Sequence, residues 1–135
     1  MADRLRHLSG SGRYAFRNVR LRCSLGTKLR LQPSGQLSHD EDGSFLGSGD
    51  FWFQTITTLA DLGRVLERFR ASRTQTVETT VLARDLREHF DVVAELHREY
   101  SGERRPTSTV MGVADLALPD QLVEIGPVVR LDLPQ

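Results

Sequence analysis

The sequence predicts a two-layer α+β domain in which two helices cover one face of a mixed sheet, in the order ββαβαββ. Three observations carry this. Residues 50–69 and 85–100 each hold apolar residues at spacings of three and four, the period of a helix with one buried stripe. Between them runs Thr76-Val-Glu-Thr-Thr-Val-Leu82, rich in the β-branched residues that favour strands. On either side lie alternating or β-branched runs bounded by turn residues. Two amphipathic helices and a sheet of four to six strands bury their apolar faces most simply as two layers.

Taken in order, residues 1–12 end in Ser9-Gly-Ser-Gly12 and read as a flexible arm, with residues 13–135 as a single domain. Tyr14 to Leu21 and Thr27 to Gln32 alternate apolar with basic residues and read as two strands linked through Leu25-Gly26. Asp40-Glu-Asp-Gly43 is a turn without the spaced oxygen ligands or distal Glu of a calcium loop. Asp50 is placed to cap the first helix, whose stripe comprises Trp52, Ile56, Leu59, Leu62, Leu66 and Phe69. The second helix, Asp85 to Tyr100, has Leu86, Phe90, Val93, Leu96 and Tyr100 as its stripe. Two further strands follow, separated by a Leu-Pro-Asp turn, and the second holds one acid, Glu124, between Val123 and Ile125. Alternation sends Glu124 to the face opposite its two neighbours, where an unpaired carboxylate must meet solvent or have a task.

Composition narrows the field. A chain of 135 residues with 39% hydrophobic and 27% charged content suits one folded domain. The net charge is zero, yet the first 36 residues hold eight of the eighteen basic residues and only one of the eighteen acids. That imbalance reads as a solvated strand face before it reads as a nucleic-acid contact. Cys23 is alone, so no intrachain disulfide forms, and a reducing cytoplasm fits. No apolar run approaches the ~18 residues of a membrane span, and the Arg-containing start lacks an apolar signal core.

The candidates for chemistry are few. His7, His39, His89 and His97 read as ordinary surface histidines, the last two lying about 80° apart around a helix and so unable to act as an adjacent-turn ligand pair. Cys23 reads as a packed thiol. The glycines form no phosphate-binding fingerprint, and Trp52 with Phe53 reads as core or subunit contact. The expectation is therefore no metal and no cofactor.

Four motifs in sequence order give the chain a family resemblance. Gln32-Pro-Ser34-Gly35-Gln36-Leu37, Gly49-Asp50 leading to Gln54-Thr55 and the spaced leucines, Val77-Glu-Thr79-Thr80-Val81-Leu82, and Leu116-Ala-Leu-Pro119 leading to Val123-Glu124-Ile125 resemble the Rid (YjgF/YER/L-PSP) family over about residues 30–130. The resemblance implies a chorismate-mutase-like fold and a homotrimer with a small-molecule cleft at each subunit interface. Family deaminases hydrolyse enamines or imines such as 2-aminoacrylate without metal or cofactor. Carried over by position, the resemblance makes Glu124 the catalytic carboxylate that orients water. It makes Tyr14, Ser34, Gly35, Gln36, Leu82, Thr107, Ser108 and Thr109 the substrate-binding set, with Tyr14 matched through Gly12-Arg13-Tyr14-Ala15.

One departure bears on substrate. Where family deaminases hold the substrate carboxylate with an Arg, this chain has a hydroxyl, either Thr107 or Ser108 depending on the direction of alignment. Arg104 and Arg105 lie just upstream, beyond Pro106, in a segment that the proline biases toward extension. Three readings follow. The first is a Rid-type enzyme of a specialised or catabolic pathway that hydrolyses, isomerises or similarly converts an imine or enamine lacking the α-carboxylate, rather than the standard 2-aminoacrylate, and the second is a non-catalytic ligand-binding or regulatory trimer. RNA binding or cleavage is the weakest, since no His pair or aromatic-basic motif supports it.

Overall fold

Strand β2 (Leu29–Gln32) shows how the sheet gains its two faces, because Leu31 is fully buried while its neighbour Arg30 is exposed. The computed structural model describes residues 20–23 and 29–135. The expected N-terminal arm and Tyr14 lie outside these described residues. Strand β1 (Arg20–Cys23) pairs antiparallel with β2, Leu21 opposite Leu31. Strands β3 (Thr76–Ala83), β4 (Thr107–Gly112) and β5 (Val123–Arg130) complete a five-stranded sheet ordered β1-β2-β5-β3-β4. All pairs are antiparallel except β3 with β4, which run parallel and are joined by helix α2 (Leu86–Ser101), as a parallel crossover requires. The mixed two-layer α+β architecture is as the sequence predicts.

Helix α1 (Phe51–Arg68) begins where Asp50, in extended conformation, accepts from the Phe53 N–H at 2.9 Å. Its buried arc runs through Phe51, Thr55, Thr58, Leu62 and Leu66. This corrects the predicted stripe at its start: Trp52 is 54% exposed. The buried arc includes the polar residues Gln54, Thr55, Thr58 and Asp61, which shift its centre and leave Trp52 about 100° round from Phe51. Phe90 of α2 is likewise 50% exposed. His89 takes the inward place beside it, stacked on Phe51 with ring centroids 4.1 Å apart.

The core lies between the helices and one sheet face. Leu59 and Leu62 of α1, Val93 and Leu96 of α2, Val81 and Ala83 of β3, and Val123 and Ile125 of β5 form one cluster. Leu31, Leu66, Ala71 and Val129 form a second at the far end. Two polar anchors pin the loops to α1. The buried Gln54 donates to the Gly47 carbonyl at 2.8 Å and the Asp120 carbonyl at 2.9 Å, and accepts from the Leu122 N–H at 2.8 Å. Asp61, equally buried, accepts from the His39 N–H at 3.3 Å and pairs with Arg64. His39 is thus a buried loop anchor rather than the surface histidine that its turn setting predicts. The helix face and the polar loop close on each other through these paired groups, although the buried Ser38 and Thr58 hydroxyls find no partner among the described residues.

Candidate functional site

The face of the sheet away from the helices carries a groove of about 250 Å³. Its floor comes from alternation. Val123 and Ile125 are buried in the core, so Glu124 between them points the other way, opposite Leu82 of β3. Leu82, Thr80 and Glu78 follow along that face of β3, with Gly126 and Val128 along β5.

The rim is built by residues 32–36. After β2 the chain crosses to β5, where Gln36 and Ile125 exchange backbone hydrogen bonds of 2.8 and 3.0 Å. The Gln36 side chain, itself buried, donates to the Ser34 carbonyl at 2.8 Å and fixes the loop. This docking lays Gly35 directly on the Glu124 side chain. A Cβ at position 35 would stand 2.7 Å from Cδ and 2.8 Å from Cγ of Glu124, closer than such atoms approach, so only glycine leaves the carboxylate where it is. From the other side Gln121, fully buried, donates a long 3.4 Å hydrogen bond to Glu124 Oε2 and a second of 3.3 Å to the Val123 carbonyl. Its own Oε1 accepts from the Leu118 N–H at 3.3 Å.

Of the sequence-predicted residues, the groove gathers Ser34, Gly35, Leu82 and Glu124, with Gln36 as the brace behind the loop. It does not gather the β4 residues. Thr107 and Thr109 pair with Glu78 and Thr80 on the same sheet face, one strand further out, while Ser108 pairs with Thr79 and turns to the helix side. Arg105 also lies on the helix side, lining a different cavity. Sequence reasoning missed Gln121 and Glu78. The signal for Glu78 was its two-residue spacing from Thr80, whereas nothing marked Gln121, whose role depends on a loop conformation.

Chemically, the groove offers a carboxylate held between a glycine backbone and a buried amide, with Ser34 and Thr80 nearby. No cationic side chain is among the described residues that line it. A carboxylate so placed can orient a water molecule or accept a proton. No group of three or more metal-ligating side chains occurs among the described residues, and no helix among them is long and apolar enough to cross a membrane.

Fold and groove together define a small α+β protein with a groove of about 250 Å³ on the sheet face away from its helices. The chain belongs to the Rid/YjgF family: the model of the family described as Endoribonuclease L-PSP matches residues 24–130. Among solved structures it is similar to YyfB of the Rid family from Yersinia pestis, at 27% identity and a TM-score of 0.70, covering 76% of this chain and 78% of that one. RidA from an Antarctic Psychrobacter bacterium shares the fold at 22% identity and a TM-score of 0.69, covering 88% of this chain and 100% of that one. TdcF from E. coli, solved with bound serine, shares it at 22% identity and a TM-score of 0.65, covering 79% and 83%. No curated protein matches the chain.

Proposed function

We propose that this protein is a Rid-type hydrolase of an imine or enamine that lacks an α-carboxylate, working as a cytoplasmic homotrimer whose subunits close the groove into a cleft. The observation that carries this reading is the Glu124 carboxylate, seated against Gly35 in a groove with no described cation on its walls. Glu124 takes a proton from water as the oxygen attacks the C=N carbon, and returns it to nitrogen. The new hydroxyl then passes its proton by way of Glu124 to the nitrogen as the C–N bond breaks, leaving a carbonyl compound and an amine or ammonia, so one water is consumed and no redox partner is needed. Ser34 and Thr80 supply neutral hydrogen bonds to the polar end of the substrate.

An anionic substrate gains nothing from such walls, because a carboxylate approaching Glu78 and Glu124 meets like charge. The test is a comparison of turnover on 2-aminoacrylate with turnover on neutral imines of simple ketones and aldehydes. The expected result is hydrolysis of a neutral imine that Glu124→Gln abolishes. Turnover of 2-aminoacrylate should be roughly thirty- to several-thousand-fold below that of a deaminase with the carboxylate-binding Arg. Efficient 2-aminoacrylate turnover would overturn the substrate assignment. Absence of turnover on every imine, with saturable binding retained, would leave a ligand-binding trimer in its place.

A further inference from the structure

The helix side of the β3–β4 edge holds a polar layer where the fold needs an apolar one. Inward positions further along these strands are apolar, Val81 and Ala83 on β3 and Val110 on β4. Earlier along the strands the same positions are the buried Thr79 and the exposed Ser108, with His97 of α2 reaching Thr79. Thr79 Oγ1 lies 2.7 Å from His97 Nε2 and donates to Ser108 Oγ at 3.0 Å. A threonine has one hydroxyl proton, and here it goes to Ser108, so His97 Nε2 must carry a hydrogen and be the donor to Thr79. The Ser108 proton is then left to point outward. His97 is held below its ordinary pKa by burial and stays neutral within this layer. It is therefore not the surface histidine that its helix position predicts.

The Ser108 hydroxyl opens into a cavity of about 370 Å³. Arg98 and Ser101 reach this cavity from α2, and Arg105 reaches it from the segment entering β4. No carboxylate lines it, and neither guanidinium is ion-paired among the described residues. Two like charges from separate elements thus face one space together with two hydroxyls. A carboxylate has too few oxygens for this donor set, whereas a phosphate monoester has three terminal oxygens and a charge near minus two.

We infer that this cavity is a second ligand site, taking a small phosphate monoester between Arg98 and Arg105 with Ser101 and Ser108 donating to its oxygens. The site is independent of the groove at Glu124, which lies on the other face of the sheet. Its test is calorimetric titration of the full chain with glycerol 3-phosphate and with inorganic phosphate, beside acetate and a short RNA. Saturable binding of the monoester is expected at one site per chain. Binding should weaken about tenfold or more in Arg105→Ala and by a smaller factor in Arg105→Lys, which keeps charge but loses the fork. It should be unchanged in Glu124→Gln. Arg105 is exposed and its replacement leaves the core intact, so a folding failure cannot stand in for lost binding. Absence of saturation at millimolar monoester, equal affinity in Arg105→Ala, or binding of RNA or acetate in preference to the monoester would each overturn the assignment.

Discussion

Gly35 and Glu124 form a pair in which the smaller residue sets the position of the larger. Adding one methyl at Gly35 pushes the carboxylate away from its seat, and a displacement near 1 Å in a reacting group can cost about a hundredfold in rate. Gly35→Ala is expected to lower imine turnover by one to two orders of magnitude, roughly, while costing about 1 kcal/mol or less in stability, because the displaced atoms end a flexible side chain. Combining it with Glu124→Ala should restore the lost stability and none of the activity. A double variant no more stable than Gly35→Ala would show that the clash is with the backbone. The alternation around Val123-Glu124-Ile125 made the direction of this carboxylate legible in the sequence. Its seating was not, because it depends on a bridge between Gln36 and Ile125 that are far apart along the chain.

His97 gives the residue scale a pH signature. Burial lowers its pKa from the ordinary 6.5, so the folded state binds fewer protons than the unfolded state in the window below that value. Stability is therefore fully present above pH 6.5 and falls as the pH drops toward the lowered folded value. Arg98 and Arg105 also line the neighbouring cavity. Urea denaturation between pH 5 and 8 should show the decline, and His97→Gln, which can still donate to Thr79, should flatten it. An unchanged slope in that variant would assign the pH dependence elsewhere. Tyr100 illustrates a different cost: burial pushes its hydroxyl up to about 12, and that oxygen finds no partner among the described residues.

At the scale of elements, α1 and the turn that ends it hold two positions where backbone and residue disagree. Gly63 sits mid-helix, and a Cβ there would meet nothing nearer than the Tyr100 hydroxyl at 4.0 Å. Gly63→Ala should raise stability by about 0.5–1 kcal/mol through the lost backbone freedom of the unfolded chain. Beyond the helix end, Arg70 holds a φ of 54°, while the Ala71 N–H bonds back to the Leu66 carbonyl at 2.9 Å. This is the left-handed helix ending that usually employs glycine, so Arg70→Gly should stabilise by up to about 1 kcal/mol. Thermal unfolding of the two single variants and their combination would check both, and a loss in either would point to an unrecognised side-chain role. The helices themselves were legible from periodicity, down to the Asp50 cap. What misled was the assumption that a buried stripe is apolar: Gln54, Thr55 and Asp61 are buried with hydrogen-bond partners and Thr58 is buried without one, which leaves Trp52 outside the arc, while on α2 His89 takes the inward place beside Phe90.

For the whole molecule, the open sheet face is the feature on which assembly turns. The proposed trimer buries this face and closes the groove, so light scattering should give three times the chain mass at micromolar concentration, unchanged in Glu124→Gln. A stable monomer would remove the inter-subunit cleft from the proposed mechanism. The element order and mixed sheet could be read from the chain because each segment has one dominant period. The sheet's spatial order could not, since nothing local says which strands become neighbours.

That spatial order has a consequence for how the protein comes to be folded. Strand β5 is made after the other described strands, yet it stands in the middle of the sheet, between β2 and β3. Until residues 123–130 exist, the β1–β2 hairpin and the β3–α2–β4 unit have no hydrogen-bonded seam between them, and the Glu124 groove has no floor. Synthesis on the ribosome therefore yields two unjoined halves with exposed strand edges, and the final strand closes both the sheet and the site in one long-range step. The molecule should consequently fold slowly for its size and depend on shielding of those edges while the chain is still incomplete.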